Sequence, residues 1–218
     1  MICPRCKKDD PQNREMCPEC GVPIKPIPVP PGGKICFGGY DWFVLDKQDG
    51  KTLIITEKVI EKRSYYHEEC AITWETCDMR GYLNGEFYNS FSEADRTRIA
   101  EVVNQNPDNP WDGTPGGNPT TDRIFLLSIE EVVKYLGDSG QLQAKPTGPK
   151  GESWWIDDQY NSVRLAKFGS KPAWWWIRSP GYIGSCAGYV QTKGLLHIHG
   201  GGVAGKNGGV RPALWLKD

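Results

Sequence analysis

Two groups of residues in this chain have types and spacings suited to chemistry. The first is Cys3-Pro4-Arg5-Cys6 and Cys17-Pro18-Glu19-Cys20, two C-x-x-C pairs with ten residues between them. Zinc favours four soft ligands in a tetrahedron, and each C-x-x-C turn presents two thiolates from one tight knuckle. Gly21 follows the second pair and supplies the permissive backbone such knuckles often need. A segment this short has too little core to fold unaided, so metal binding would provide its folding free energy. All four positions are Cys, which predicts a closed, structural Zn2+ site rather than a catalytic one. Two disulfides or a redox pair would use the same cysteines, but an intracellular chain keeps its thiols reduced.

The second group lies between Tyr182 and Gly209. His197-x-His199 puts two imidazoles on the same side of a strand, a spacing that suits a transition metal, with Cys186 as a third ligand. No Asp or Glu falls between Tyr182 and Gly209 to complete or orient such a site. Cys186 beside a histidine would be a nucleophile pair, yet it is the lone Cys of the carboxy-terminal half. Asp157-Asp158 is a candidate calcium ligand pair, but a solvated turn is the simpler reading. Trp154-Trp155 and Trp174-Trp175-Trp176 could stack sugars, although large aromatic side chains usually serve the core first. Alternation puts Trp174 and Trp176 on one face and Trp175 on the other. Arg178 and Arg211 read as scaffold residues that hydrogen-bond backbone carbonyls or an acid.

The elements that must hold these residues follow from patterning. Trp174 to Gly181 and Val210 to Leu216 are aromatic and branched runs ending at Gly/Pro signals, which predicts buried strands. They bracket a glycine-rich interval. Upstream, Ile35 to Leu45 reads as a strand, Asp46 to Gly50 as a turn and Thr52 to Thr56 as the return strand of a hairpin. Met79, Tyr82, Leu83 and Phe87 share one face of a helix spanning about Thr76 to Phe87. Ser92 caps a second helix with Ile99, Val102 and Val103 inward. Asn104 to Thr121 reads as a long surface loop and Asp122 to Leu127 as a short strand. Ser128 and Glu131 form a capping box for a third helix, with Val132, Val133, Tyr135 and Leu136 inward and a stop at Gly137. Gln141 to Ser153 is loop again. Segregated helices with mostly antiparallel strands predict an α+β domain.

Length and composition set the frame. A chain of 218 residues holds one sizeable domain and a small appendage. The expected organisation is a zinc ribbon over residues 1–22, a proline-rich linker over 23–33 and a main domain over 34–218. The run from Val22 to Gly33 carries five prolines and cannot pack a core. A formal net charge of -1 gives no electrostatic footprint for nucleic acid. No apolar run approaches the roughly 20 residues of a membrane span, and Met1-Ile2-Cys3-Pro4 does not begin a secretory signal. The expected location is cytoplasmic, and Cys36, Cys70, Cys77 and Cys186 are expected to be reduced thiols.

Several segments together carry a resemblance. They are Ile72-Thr73-Trp74-Glu75-Thr76-Cys77-Asp78-Met79-Arg80, Tyr82 to Tyr88, Asp122 to Ser128, Trp175 to Gly181 and Gly209 to Trp215. In this order they resemble a family of bacterial domains of unknown function, often preceded by a zinc ribbon, that is similar to the C-type-lectin-like fold of formylglycine-generating enzymes. The likeness covers about residues 34–218. It implies a C-type-lectin-like domain whose segment 174–216 holds a variable binding region. Proteins of this fold are recurrent targets of diversity-generating retroelements, which mutagenise adenines between constant brackets. The resemblance thus implies a non-enzymatic protein displaying a changeable surface made of Tyr182, Ile183, Ser185, Cys186, Gly188, Leu195, Leu196, His197, His199, Gly201, Ala204 and Asn207. Rigid brackets would let side chains change without refolding. The expected partner is a protein. The alternatives are a formylglycine-generating-type enzyme acting on a peptide, whose paired active-site cysteines have no match here, or an adaptor that binds through its ribbon.

Overall fold

The computed structural model describes residues 32–145 and 154–218. The expected zinc ribbon with Cys3, Cys6, Cys17 and Cys20, and nearly all of the linker, lie outside the described residues. The described part is a mixed α+β structure with few helices and mostly antiparallel sheets.

The chain opens with β1 (Lys34–Phe37), β2 (Tyr40–Gln48) and β3 (Lys51–Thr56). The sequence favoured a single strand from Ile35 to Leu45, but Gly38 and Gly39 both take positive φ and turn the chain back on itself. Asp49 and Gly50 do the same between β2 and β3. Two positive-φ residues match the right-handed twist of the flanking strands, so each pair closes a tight hairpin. After β4 (Glu61–Lys62), a short 3-10 turn at Trp74–Thr76 leads into α1 (Asp78–Tyr82). The Sγ of Cys77 accepts the N–H of Arg80 and caps α1. A π-helical turn over Leu83–Phe87 extends it, so that Met79, Leu83 and Phe87, spaced by four, are all buried.

α2 (Glu93–Arg98) is capped by Ser92 as expected, but it buries nothing and stops early. Ile99 leaves it in extended geometry and bridges Leu216. Val102 and Val103 are therefore not on a helix. They begin β5 (Val102–Asn104), which pairs with β6 (Thr120–Asp122), and Val103 is exposed. Adjacent β-branched residues fit a pleated strand better than a helix turn. Of the expected strand Asp122 to Leu127, Asp122 ends β6 and the rest contracts to one bridge, Phe125 to Ala213, within the buried run Ile124 to Leu127. α3 (Ile129–Leu136) has both halves of the capping box and ends at Gly137. Of its expected inward residues, Tyr135 is only half-buried, while Ile129 joins Val132, Val133 and Leu136 in the core.

The remaining elements are β7 (Trp155–Ile156), α4 (Asn161–Arg164), the hairpin β8 (Ala166–Phe168) and β9 (Lys171–Ala173), then β10 (Trp175–Pro180), β11 (Cys186–Val190), β12 (Leu196–Gly202), β13 (Gly209–Val210) and β14 (Ala213–Lys217). One sheet has the order β1-β2-β3-β14, all antiparallel. The other has the order β4-β13-β10-β11-β12-β7, with one parallel pair, β10 and β13. Arg211 and Pro212 carry the chain from the second sheet into the first. Both brackets are thus buried strands: every residue of β10 is buried, as is β14 except Lys217.

Polar residues lock this frame. The buried carboxylate of Asp122 accepts from Trp74 Nε1 at 3.0 Å, Arg80 Nε at 2.6 Å, Asn104 Nδ2 at 3.0 Å and Thr120 Oγ1 at 2.7 Å. Arg178 meets both expectations at once, donating to the carbonyls of Leu126 and Gln105 and pairing with Glu131. Arg211 is fully buried, donates to the Thr56 carbonyl at 2.9 Å and lies over the Trp175 ring. Burial pulls its pKa down to about 10. Asp158 is not a solvated turn residue. Its side chain is buried and holds the equally buried Arg164 through two 3.0 Å bonds, whereas Asp157 is exposed and accepts from Asn161 Nδ2, so the two carboxylates do not act as a pair.

Candidate functional site

Cross-strand pairing in the second sheet builds one aromatic row. Trp176 of β10 sits opposite Tyr189 of β11, Tyr189 opposite His197 of β12, and His197 opposite Trp155 of β7. Directly opposed residues project from the same face of a sheet, so four rings from four strands stand side by side. Tyr189 and His197 stack nearly parallel, 4.7 Å apart and 9° from coplanar, and Trp155 lies 5.6 Å beyond His197. Trp174 closes the other end, 4.7 Å from Trp176 and 5.2 Å from Tyr189, edge to face with both. Trp176 is buried and roots the row, whereas Trp155, Trp174, Tyr189 and His197 are half-buried. Trp174 and Trp176 share a face as alternation requires, and Trp175 points to the opposite side, beneath Arg211.

A groove of about 460 Å³ runs beside Trp174, Trp176 and Tyr189, with Gln191 and Thr192 on one wall and Gly201, Gly202 and Gly205 on the other. The glycines have steric reasons to be there. A Cβ on Gly202 would lie 2.6 Å from Glu69 Oε1 and one on Gly201 would lie 3.3 Å from the Tyr189 ring; outside the lining, one on Gly208 would lie 1.8 Å from Trp176 Nε1. Trp176 Nε1 donates to the Arg63 carbonyl at 3.0 Å, fixing the indole in place. The groove lining contains no charged side chain. The carboxylate of Glu69, which accepts the Ala204 N–H, stands at the Gly202 rim.

The two histidines have different surroundings. His197 is stacked and largely dry, its Nδ1 is buried without a hydrogen-bond partner, and desolvation, with help from His199, pulls its pKa down to about 4. It is neutral at physiological pH. His199 is sandwiched between Trp154 at 3.8 Å and Tyr182 at 4.4 Å, and its Nε2 lies 3.6 Å from Asp112 Oδ1. An acid therefore does reach this region, from the segment expected to be a surface loop. That segment is pinned by Asn109, whose Nδ2 donates to the carbonyls of Pro180 and Ile198, both at 2.9 Å. Among the described residues no cluster of three or more His, Cys, Asp or Glu is arranged to hold a metal ion.

The residues expected to form the surface divide. Tyr182 and Ile183 are well exposed, at 41% and 43%, and Asn207 is exposed. Ser185, Leu195, His197, His199, Gly201 and Ala204 are half-buried. Three residues correct the expectation. Leu196 is fully buried in the core, Gly188 packs under Ile177, where a Cβ would meet Cδ1 at 2.8 Å, and Cys186 is buried. Burial first, then the nearby Glu69, pushes the Cys186 thiol pKa up, the wrong direction for a nucleophile. Four further residues complete the face: Trp155 and Trp174, which the sequence offered as stacking rings but assigned first to the core, and Tyr189 and Gln191, which it did not single out. For Tyr189, alternation along β11 was the available signal.

Fold and groove together define a mixed α+β domain that offers one aromatic face of a largely antiparallel sheet. Residues 49–218 match the family model DUF6273, a domain of unknown function, and the chain belongs to that family. The match begins in the β2–β3 turn, so β1 and all of β2 complete the first sheet from outside it. No curated protein and no solved structure matches the chain. Among the described residues no helix is long and apolar enough to cross a membrane.

Proposed function

We propose that this chain is a non-enzymatic ligand-binding protein that engages a protein partner through the aromatic row and its flanks, on a scaffold resembling the C-type-lectin-like fold. The observation that carries this reading is the row itself. Trp155, His197, Tyr189 and Trp174 stand half-exposed on one face while the strands beneath them are buried. Large, rigid aromatic residues give contact area at low entropic cost, and a fixed backbone pre-organises them. Tyr182, Ile183, Ser185, His199, Ala204 and Asn207 flank the row, and in this reading they tune specificity. Retroelement diversification of this interval is part of the proposal, supported by the constancy that the buried brackets demand. The raised thiol pKa of Cys186 argues against a formylglycine-generating type of chemistry. The residue 1–22 segment is proposed to be a structural Zn2+ ribbon held by Cys3, Cys6, Cys17 and Cys20.

Selection of a displayed random peptide library on the full chain tests the reading. Enriched peptides are expected to lose at least about tenfold in affinity on Tyr189→Ala, the order of one lost anchor, and to keep it on Val103→Ala, an exposed position on β5. Enriched peptides that bind both variants alike would sink the proposal.

A further inference from the structure

We infer that the cavity between β5, the β2–β3 turn and α3 takes an extended peptide segment with a basic side chain, which joins the β5–β6 sheet as a third strand. This site is separate from the aromatic row and stands or falls without it.

The cavity measures about 410 Å³, within the roughly 300–1,000 Å³ of ligand pockets. It shares no lining residue with the groove beside Trp174. Its wall includes four consecutive residues, Val102, Val103, Asn104 and Gln105. Alternate side chains of a strand point to opposite faces, so one hollow meets all four only by running along their backbone. That backbone has room for a partner. β5 and β6 form a sheet of two strands, so among the described residues each has one open edge. An open edge presents N–H and C=O groups at the spacing that an added extended chain uses. The side chains agree. Asn104 is buried and turned to Asp122, whereas Val103 is 64% exposed, more than any other large hydrophobic residue among those described. An incoming strand would cover it.

Charge narrows the occupant further. Of the charged residues in the wall, Arg178 and Glu131 neutralise each other. Asp49, Lys51 and Glu130 have no ion partner among the described residues. The unpaired set is thus two carboxylates against one ammonium, and a cationic side chain balances it. Glu130 is placed to receive that cation. It is half-buried in the first turn of α3, and its Oε2 is shut off from water with no donor among the described residues. The helix cap is completed by Ser128 and Glu131, so Glu130 is not spent on it. A buried carboxylate oxygen without a donor is costly, and a lysine ammonium on a bound strand supplies one.

The test uses the full chain and three fluorescein-labelled, carboxy-amidated peptides. They are Thr-Val-Lys-Val-Thr, the same sequence with Gln for Lys, and the Lys peptide N-methylated along its backbone, which removes the donors a strand needs. Anisotropy is expected to give the Lys peptide a Kd below about 1 mM and an advantage of about fivefold over the Gln peptide, the upper range for a partly screened ion pair. Glu130→Gln should erase that advantage, and the N-methylated peptide should not bind. Saturation with the Lys peptide should slow hydrogen exchange at the Val102–Gln105 amides. No binding of the Lys peptide at about 1 mM, equal affinity of the Lys and Gln peptides, undiminished binding of the N-methylated peptide, or unchanged exchange at Val102–Gln105 would each overturn the inference. The peptide comparison on the parent chain does not depend on how the Glu130 variant folds. Tyr189→Ala should leave all of this unchanged; loss of binding there would move the peptide to the aromatic row, overturning this site and leaving the proposed function standing. A library peptide that the Lys peptide displaces belongs to this cavity and is set aside before the aromatic row is judged.

Discussion

Asn109 offers the sharpest test of how the aromatic face is held. It is 1% exposed, and its amide makes four bonds: Nδ2 to the carbonyls of Pro180 and Ile198, and Oδ1 from the N–H groups of Trp111 and Asp112 at 2.9 and 3.1 Å. One side chain thus ties the 104–121 segment to the end of β10 and to β12. Asn109→Ala removes four bonds worth about 0.5–1.5 kcal/mol each, for a loss of about 3 kcal/mol. For a domain of this size that lowers Tm by about 6–12 °C. Asn109→Asp keeps the shape but points an oxygen at two carbonyl oxygens, so at pH 7 it should cost more than alanine despite its better fit. The introduced carboxyl would be buried and forced towards its neutral form, so its folded pKa lies above the unfolded value near 3.9. A raised folded pKa means stability gained as pH falls through it and lost as pH rises. The deficit of Asn109→Asp relative to the parent should therefore shrink between pH 7 and pH 4, while that of Asn109→Ala stays level. Thermal melts of the three proteins across that range decide the matter. An alanine variant within about 2 °C of the parent, or an aspartate variant no worse than alanine at pH 7, would refute the reasoning.

Further outcomes follow from the same geometry. Gly188→Ala should destabilise by about 1–3 kcal/mol through overpacking against Ile177, whereas a variable surface position would be neutral; urea unfolding distinguishes the two. His197 should titrate near pH 4 by imidazole NMR. Because its folded pKa lies below the unfolded value, its contribution to stability is present above about 6.5 and is lost as pH falls towards 4. A His197→Gln variant should lose less stability than the parent over that window, and an equal loss would contradict the desolvated, neutral ring. Metal analysis of the purified full chain should find about one equivalent of zinc, falling on Cys3→Ser with Cys6→Ser, as expected for a four-thiolate site; less than about half an equivalent would contradict the ribbon.

Local signals were legible in the sequence where one short segment carried the whole message. The Ser128–Glu131 capping box and the all-buried run of β10 are of this kind. Reading failed where a distant strand decided the outcome. Val102 and Val103 fell at helical spacing after Ile99, but Ile99 bridges β14 and the valines pair with Thr121 and Asp122. The same holds at the site. The interval between the brackets supplies Tyr189 and His197, but their ring neighbours Trp155 and Trp174 lie outside it or at its edge, and only strand register brings them together. Leu196 was misplaced for a related reason, because alternation puts it opposite His197 on the buried side of β12. Asp112 reaches His199 from 87 positions upstream in the chain (199 minus 112), a proximity that no local pattern encodes.

The placement of β14 has a consequence for synthesis. The first sheet remains open along one edge of β3, where Leu53, Ile54 and Ile55 have β2 on one side only, until Ala213–Lys217 has left the ribosome. An open, apolar strand edge invites aggregation and quality control. Any frameshift or premature stop within residues 182–207 would delete the strand that closes the sheet. The fold thereby reads out the integrity of the interval between its two buried brackets: a chain in which that interval was translated in frame can seal the sheet, and one in which it was not is left with an open edge.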